Sequence, residues 1–108
     1  HGQPQERLCA QDVELDPAAH TVRLAGELVA LPSREFALLH TLMLNAGRVL
    51  SREQIEQHLY SWGQEVESNA IEVHVHHLRR KLGAVTPAHD WIRSVYGVGF
   101  AWEAPPPA

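Results

Sequence analysis

The sequence predicts an α+β fold on three observations. The first third alternates apolar and polar residues with period two. The middle carries three segments with helical spacing and helix start signals. The stretch "WIRSVYGVGFAWE" then reads as two strand segments around a glycine-containing turn. The chain has 108 residues, 44% of them hydrophobic, enough for one compact domain with a core and too few for two.

Taken in order, "LCA", "DVELD", "TVRLAG" and "ELVAL" predict four short strands of a small antiparallel sheet, broken at Asp16-Pro17-Ala18-Ala19 and at Gly26-Glu27. Ser33 is an N-cap residue type, and Glu35 in the first turn suits the positive end of a helix dipole. From Phe36 to Leu44 the segment is apolar on most of its circumference, which predicts a buried helix, and Asn45-Ala46-Gly47 is its stop. Ser51-Arg52-Glu53-Gln54 has capping-box spacing, with Ile55 and Leu59 one turn apart on the same face. "YSWGQEVE" is a loop, Ser68 caps a third helix, Gly83 closes it, and "TPAHD" is another loop.

Two helices joined by a loop, then a third helix and a β-hairpin, predict a winged helix-turn-helix, in which one helix enters the major groove and the hairpin touches backbone or minor groove. The third helix decides the reading, because "SNAIEVHVHHLRRKL" (residues 68–82) is rich in histidine and cations. At about 100° per residue, Ile71, Val75, Leu78 and Leu82 form one apolar stripe toward the core. Asn69, Val73, His76, His77 and Arg80 fall opposite, with Ala70, His74 and Lys81 on one shoulder and Arg79 on the other. Such a face suits a groove: Asn pairs with adenine, Arg with guanine or phosphate, and Val with a thymine methyl. The bland alternative is a solvated helix end, since the macrodipole favours Arg79, Arg80 and Lys81 in a last turn whatever the function.

Catalytic and metal readings are weaker. His74 and His77 are three apart, but the H-E-x-x-H spacing of a catalytic zinc helix is absent. The glycines Gly97 and Gly99 lie inside a hairpin rather than between strand and helix, which removes the dinucleotide reading. No nucleophile motif surrounds any serine. The sequence therefore predicts no enzyme, no cofactor and no metal.

The formal charge of −4 argues by itself against a polyanion partner. The charge is unevenly spread, however. Residues 1–67 carry ten acidic and five basic side chains, and residues 68–108 carry three acidic and four basic ones plus four histidines. A local positive patch on an acidic body can still steer nucleic acid. Cys9 is the only cysteine, so no intrachain disulfide forms. No apolar run approaches the length of a membrane span, and a cytoplasmic, reducing compartment is expected. The polar "HGQPQER" at residues 1–7 predicts a linker remnant with its natural neighbour upstream. Residues 8–103 are the domain, and 104–108 are a Pro-rich tail.

At "LPSREFALLHTLMLNAGRVLSREQI", "VESNAIEVHVHHLRRKLG" and "IRSVYGVGF" the chain resembles the C-terminal effector domain of OmpR/PhoB-type two-component response regulators, from about Leu8 to Trp102, and most of all the QseB/PmrA-type branch. The resemblance implies the same winged helix-turn-helix and a sequence-specific promoter DNA-binding function. DNA would be bound head to tail on direct repeats by a domain that is monomeric alone. It implies an upstream receiver domain phosphorylated by a sensor kinase, and a polymerase-contact loop of Tyr60, Ser61, Trp62, Gly63, Gln64 and Glu65. By position, the DNA contacts are Arg52, Asn69, Ala70, Val73, His74, His76, His77, Arg79, Arg80, Ser94 and Tyr96. Family members often have Arg or Lys at the positions of His76 and His77, often Arg at Tyr96, and often a larger polar residue at Ala101. These departures imply weaker phosphate binding and minor-groove insertion. An imidazole beside a phosphate is favoured as the cation, so His76 and His77 are expected to make DNA affinity rise as pH falls. Two rivals stay open: a winged-helix protein-interaction module and a histidine-based metal protein.

Overall fold

A computed structural model of the chain describes residues 7–10, 13–60, 70–85 and 91–103. Four strands, β1 (Leu8–Ala10), β2 (Val13–Asp16), β3 (Thr21–Leu24) and β4 (Glu27–Val29), form an antiparallel sheet in chain order. The period of two sends Val13, Leu15, Val22 and Leu24 to one buried face. The β3–β4 link is a two-residue turn in which Ala25 and Gly26 both have positive φ (52° and 84°), the backbone twist that tight hairpins require. Arg7, within the stretch read as a linker, pairs with Glu14 at 2.9 Å and so reaches β2.

Helix α1 (Ser33–Leu44) buries Phe36, Leu38, Leu39, Leu42 and Met43. Its N-cap is Pro32, not Ser33, and no side chain caps it. The Pro32 carbonyl accepts from the Phe36 amide at 2.9 Å, so Ser33 is already the first helical residue. The predicted stop is where the helix ends: the Asn45 side-chain amide donates to the Thr41 carbonyl at 2.8 Å, and Gly47 takes φ 84°.

One strand escapes the sequence reading. Residues β5 (Val49–Ser51) pair antiparallel with β7 (Gly99–Trp102), which also pairs with β6 (Ile92–Val95). The wing is thus the outer part of a three-stranded sheet of order β5-β7-β6 rather than a free hairpin. A three-residue strand is too short to show an alternation, and its partner lies far along the chain.

Helix α2 (Arg52–Leu59) starts at the predicted capping box. The Ser51 hydroxyl accepts from the Gln54 amide at 3.1 Å, and the Gln54 side chain accepts from the Ser51 amide at 2.8 Å. Helix α3 (Ala70–Val85) runs through Gly83 instead of stopping there. Its stripe of Ile71, Val75, Leu78 and Leu82 is buried as predicted. The predicted cap at Ser68, Asn69, the whole of the loop after Tyr60, and "TPAHD" lie outside the described residues.

The core joins both sheets to the helices. Trp91 packs edge-on against Trp102 with ring centres 5.9 Å apart, a favoured aromatic geometry. No helix among the described residues is long and apolar enough to cross a membrane.

Candidate nucleic-acid interface

Burial of one stripe of α3 forces the other face outward. Val73 is 39% exposed, and His76, His77 and Arg80 are exposed with it. Arg80 has no polar partner among the described residues, so its five donors remain available. The wing lies beside this face. Tyr96, at its tip, is fully exposed, and Gly97 with φ 76° makes the turn, in which the Val98 amide donates to the Val95 carbonyl at 3.0 Å. Between α3, the start of α2 and the wing runs a groove of about 690 Å³, lined among others by Arg52, Glu72, Arg79, Ser94 and Val98.

Several of the predicted contact residues are engaged inside the protein. Arg79 donates through Nε and Nη2 to the Ile92 carbonyl at 3.2 and 2.7 Å, and through Nη2 to the Ser94 hydroxyl at 2.8 Å. It therefore fastens the wing to α3. His74 turns toward α2, with Nε2 3.0 Å from the Tyr60 hydroxyl. Arg34 lies over the same Tyr60 ring at 4.0 Å and donates to the Leu59 carbonyl. Burial holds the His74 imidazole below its ordinary pKa; the Glu35 carboxylate opposes this, and the neighbouring His77 and Arg34 add to the lowering.

Tyr60 thus packs against the protein at the start of the predicted polymerase loop, whose residues Ser61 to Glu65 are outside the described set. His77 presents Nδ1 to Glu35 at 3.3 Å and stays exposed on its other side, with its ring centre 6.0 Å from that of His76. Ala70 is half-buried at the helix start.

Arg52 begins α2 and donates through Nη2 to Glu72 of α3 at 2.7 Å, a contact that raises its pKa. Arg93, the remaining cation on the wing, pairs with Glu103 at 2.9 Å. Ala101 is buried opposite Val49 and Arg93 in the wing sheet, so a small residue there is a packing element.

Two participants were not picked out from sequence. Glu35 was read as a dipole partner, yet it is a buried carboxylate held by Lys81 at 2.7 Å. Glu72 was given no part in the outward face of the third helix. Its partner is 20 residues away, beyond any local spacing rule. Among the described residues no group of three or more His, Cys, Asp or Glu is placed to hold a metal ion.

A four-stranded sheet, three helices and a wing beside an outward helix face define a winged helix-turn-helix domain. The chain belongs to the family described as "Transcriptional regulatory protein, C terminal", which matches residues 26–102. It is an OmpR/PhoB-type effector domain.

It is 52% identical over 106 residues to the response regulator protein PmrA of Pseudomonas aeruginosa, covering 98% of this chain and 46% of that protein. With the transcriptional regulatory protein QseB of Escherichia coli O157:H7 the identity is 54% over 100 residues, covering 93% and 43%. The chain therefore spans less than half the length of these relatives. The crystal structure of the DNA binding domain of CpxR from E. coli superposes with a TM-score of 0.79 at 29% identity, covering 92% of this chain and 97% of that one.

Proposed function

We propose that this domain binds double-stranded promoter DNA sequence-specifically, as the effector part of a phosphorylation-controlled response regulator. The observation that carries the proposal is the single outward face of Val73, His76 and Arg80 on α3, flanked by Arg52 and the wing. Val73 is suited to a thymine methyl and Arg80 to a phosphate. His76 and His77 add donors, and Ser94 and Tyr96 reach backbone from the wing. Asn69 belongs to the same reading as an adenine contact. The relative named as a response regulator, PmrA of Pseudomonas aeruginosa, supports a receiver domain upstream and a sensor kinase acting on it. Head-to-tail binding to direct repeats and a polymerase contact through residues 60–65 complete the reading. It places the protein in the cytoplasm and involves no catalysis.

The test is selection of duplexes from a random pool by the purified domain, followed by anisotropy titrations of selected and scrambled duplex across salt. Few unpaired cations flank the face, so the expected slope of log K on log salt is shallow, about −2 to −4 per monomer. Tyr96→Arg should tighten both duplexes, because it adds a charge at the wing tip, whereas Tyr96→Phe should change little. No enrichment, or equal affinity for selected and scrambled DNA, overturns the proposal.

One observation favours a second reading, a protein-interaction module. Arg52, Lys81 and Arg93 all hold carboxylates of the same chain, on a body of net charge −4. Failure of the selection together with an intact fold would support it.

A further inference from the structure

We infer that Glu72 is a positioning residue for DNA binding: it holds the Arg52 guanidinium at the mouth of the groove between α3 and the wing, aimed at a backbone phosphate. The inference rests on the reading of this face as a DNA interface. It is carried by the geometry of one ion pair. Arg52 Nη2 lies 2.7 Å from Glu72 Oε1, and both side chains line the groove. Glu72 is the only hydrogen-bonded partner of the Arg52 side chain among the described residues, with Glu56 of the same helix acting on it at longer range. Arg52 Nε is shielded from solvent and bonds nothing among them. Nη2 is therefore held on Glu72, and with Nε shielded the remaining Nη donors are left for an acceptor that the described residues do not supply.

A carboxylate on the outward side of a helix facing a polyanion is otherwise hard to account for. By charge alone Glu72 repels phosphate, and its removal should tighten DNA binding to every sequence. By position it does the reverse. A long arginine on a helix terminus loses rotamer freedom when it grips a phosphate, and a partner that holds it beforehand removes that loss from binding. The capping box fixes the backbone from which Arg52 starts, and the buried stripe of α3 fixes the turn that carries Glu72. The pair thus joins two rigid elements, as preorganised contacts require. The two effects have opposite signs, so one substitution separates them.

The experiment is a double-mutant cycle with Arg52→Ala, Glu72→Ala and the combined variant. Anisotropy is read on a duplex selected by the wild-type domain and on its scrambled counterpart, with thermal unfolding as a check on the fold. Glu72→Ala should raise Kd about 2- to 10-fold on both duplexes, the range set by freeing one rotamer-rich side chain. In the Arg52→Ala background the same change should leave Kd unaltered or lower it, because only the repulsive charge is then lost. Glu72→Gln keeps an acceptor oxygen and should fall between Glu72→Ala and wild type. If Glu72→Ala tightens binding equally in both backgrounds, Glu72 is a mere counter-charge and the inference is overturned. If the wild-type domain selects no duplex, the DNA reading itself falls and this role falls with it. Wild-type binding without coupling in the cycle removes the role of Glu72 alone.

Discussion

Lys81 of α3 places its ammonium 2.7 Å from the Glu35 carboxylate of α1, and Glu35 is 4% exposed. His77 approaches the other carboxylate oxygen at 3.3 Å. The outward-reading helix is thus keyed to α1 by a carboxylate that has almost no access to water. Removing one partner of such a pair leaves a buried charge poorly compensated, whereas replacing both with apolar groups can be nearly neutral. Lys81→Met should therefore lower stability by about 2 kcal/mol, or roughly 10 °C in Tm. The double variant Glu35→Leu/Lys81→Met should recover most of that. Thermal unfolding followed by circular dichroism reads both, and a double variant no better than Lys81→Met would contradict the account.

The two wing glycines should respond unequally to alanine. Gly97 has φ 76° but open space around it, so Gly97→Ala should cost about 1–2 kcal/mol of backbone strain and nothing more. At Gly99 a Cβ would overlap the Leu50 carbonyl oxygen and lie 2.8 Å from its carbon. Neither atom can move without breaking the β5–β7 pairing, so Gly99→Ala should cost about 3 kcal/mol or more. Urea unfolding midpoints rank the two, and equal losses would show that β5 is not held where described.

Arg79 and Arg80 are adjacent and should behave differently. Arg79 bonds the wing backbone, so Arg79→Ala should lower the unfolding midpoint and weaken DNA binding together. Arg80 is exposed. Arg80→Ala should leave stability within about 0.5 kcal/mol of wild type. It should weaken selected and scrambled duplex alike, and it should reduce the salt slope by about 1. A large stability loss in Arg80→Ala, or a change in sequence preference, would reverse these roles.

His74 predicts a pH-dependent contribution to stability. Burial lowers its pKa in the folded chain relative to about 6.5 in the unfolded chain. Between those two values the unfolded state binds more protons, so stability rises with pH. The contribution is complete above about pH 6.5 and is lost as pH falls through the folded value. His74→Gln should remove this part of the pH dependence of the urea midpoint, and an NMR titration of the His74 ring should place it below about 6.5. A ring that titrates at or above that value sinks the argument.

Much of this was legible without a structure. The alternation in β2 and β3, the capping box at Ser51 and the stripe on α3 are signals within a few residues, set by the geometry of one strand or one helical turn. Where local signals compete, the reading slipped by a residue or a turn. Pro32 took the cap position ahead of Ser33, because a proline disfavours the helical conformation for what precedes it and begins the turn itself. Gly83 lies where α3 continues to Val85, since a glycine inside a helix costs only about 1 kcal/mol when the preceding stripe is well buried.

By itself, then, the sequence determined the order of the elements apart from β5, the buried stripe of α3 and the outward set of Val73, His76, His77 and Arg80, because periodicity is a property of neighbouring residues. The tertiary structure decided which polar groups remain for a partner. Glu35 and Lys81 are 46 residues apart, Arg52 and Glu72 are 20 apart, and β5 meets β7 across half the chain. Those pairings depend on how closely packed elements bring distant side chains together, and spacing along the chain carries no record of it. Packing set Arg79, expected from sequence only as a DNA contact, against the wing as its clasp, and it left Arg80, one residue on, facing outward.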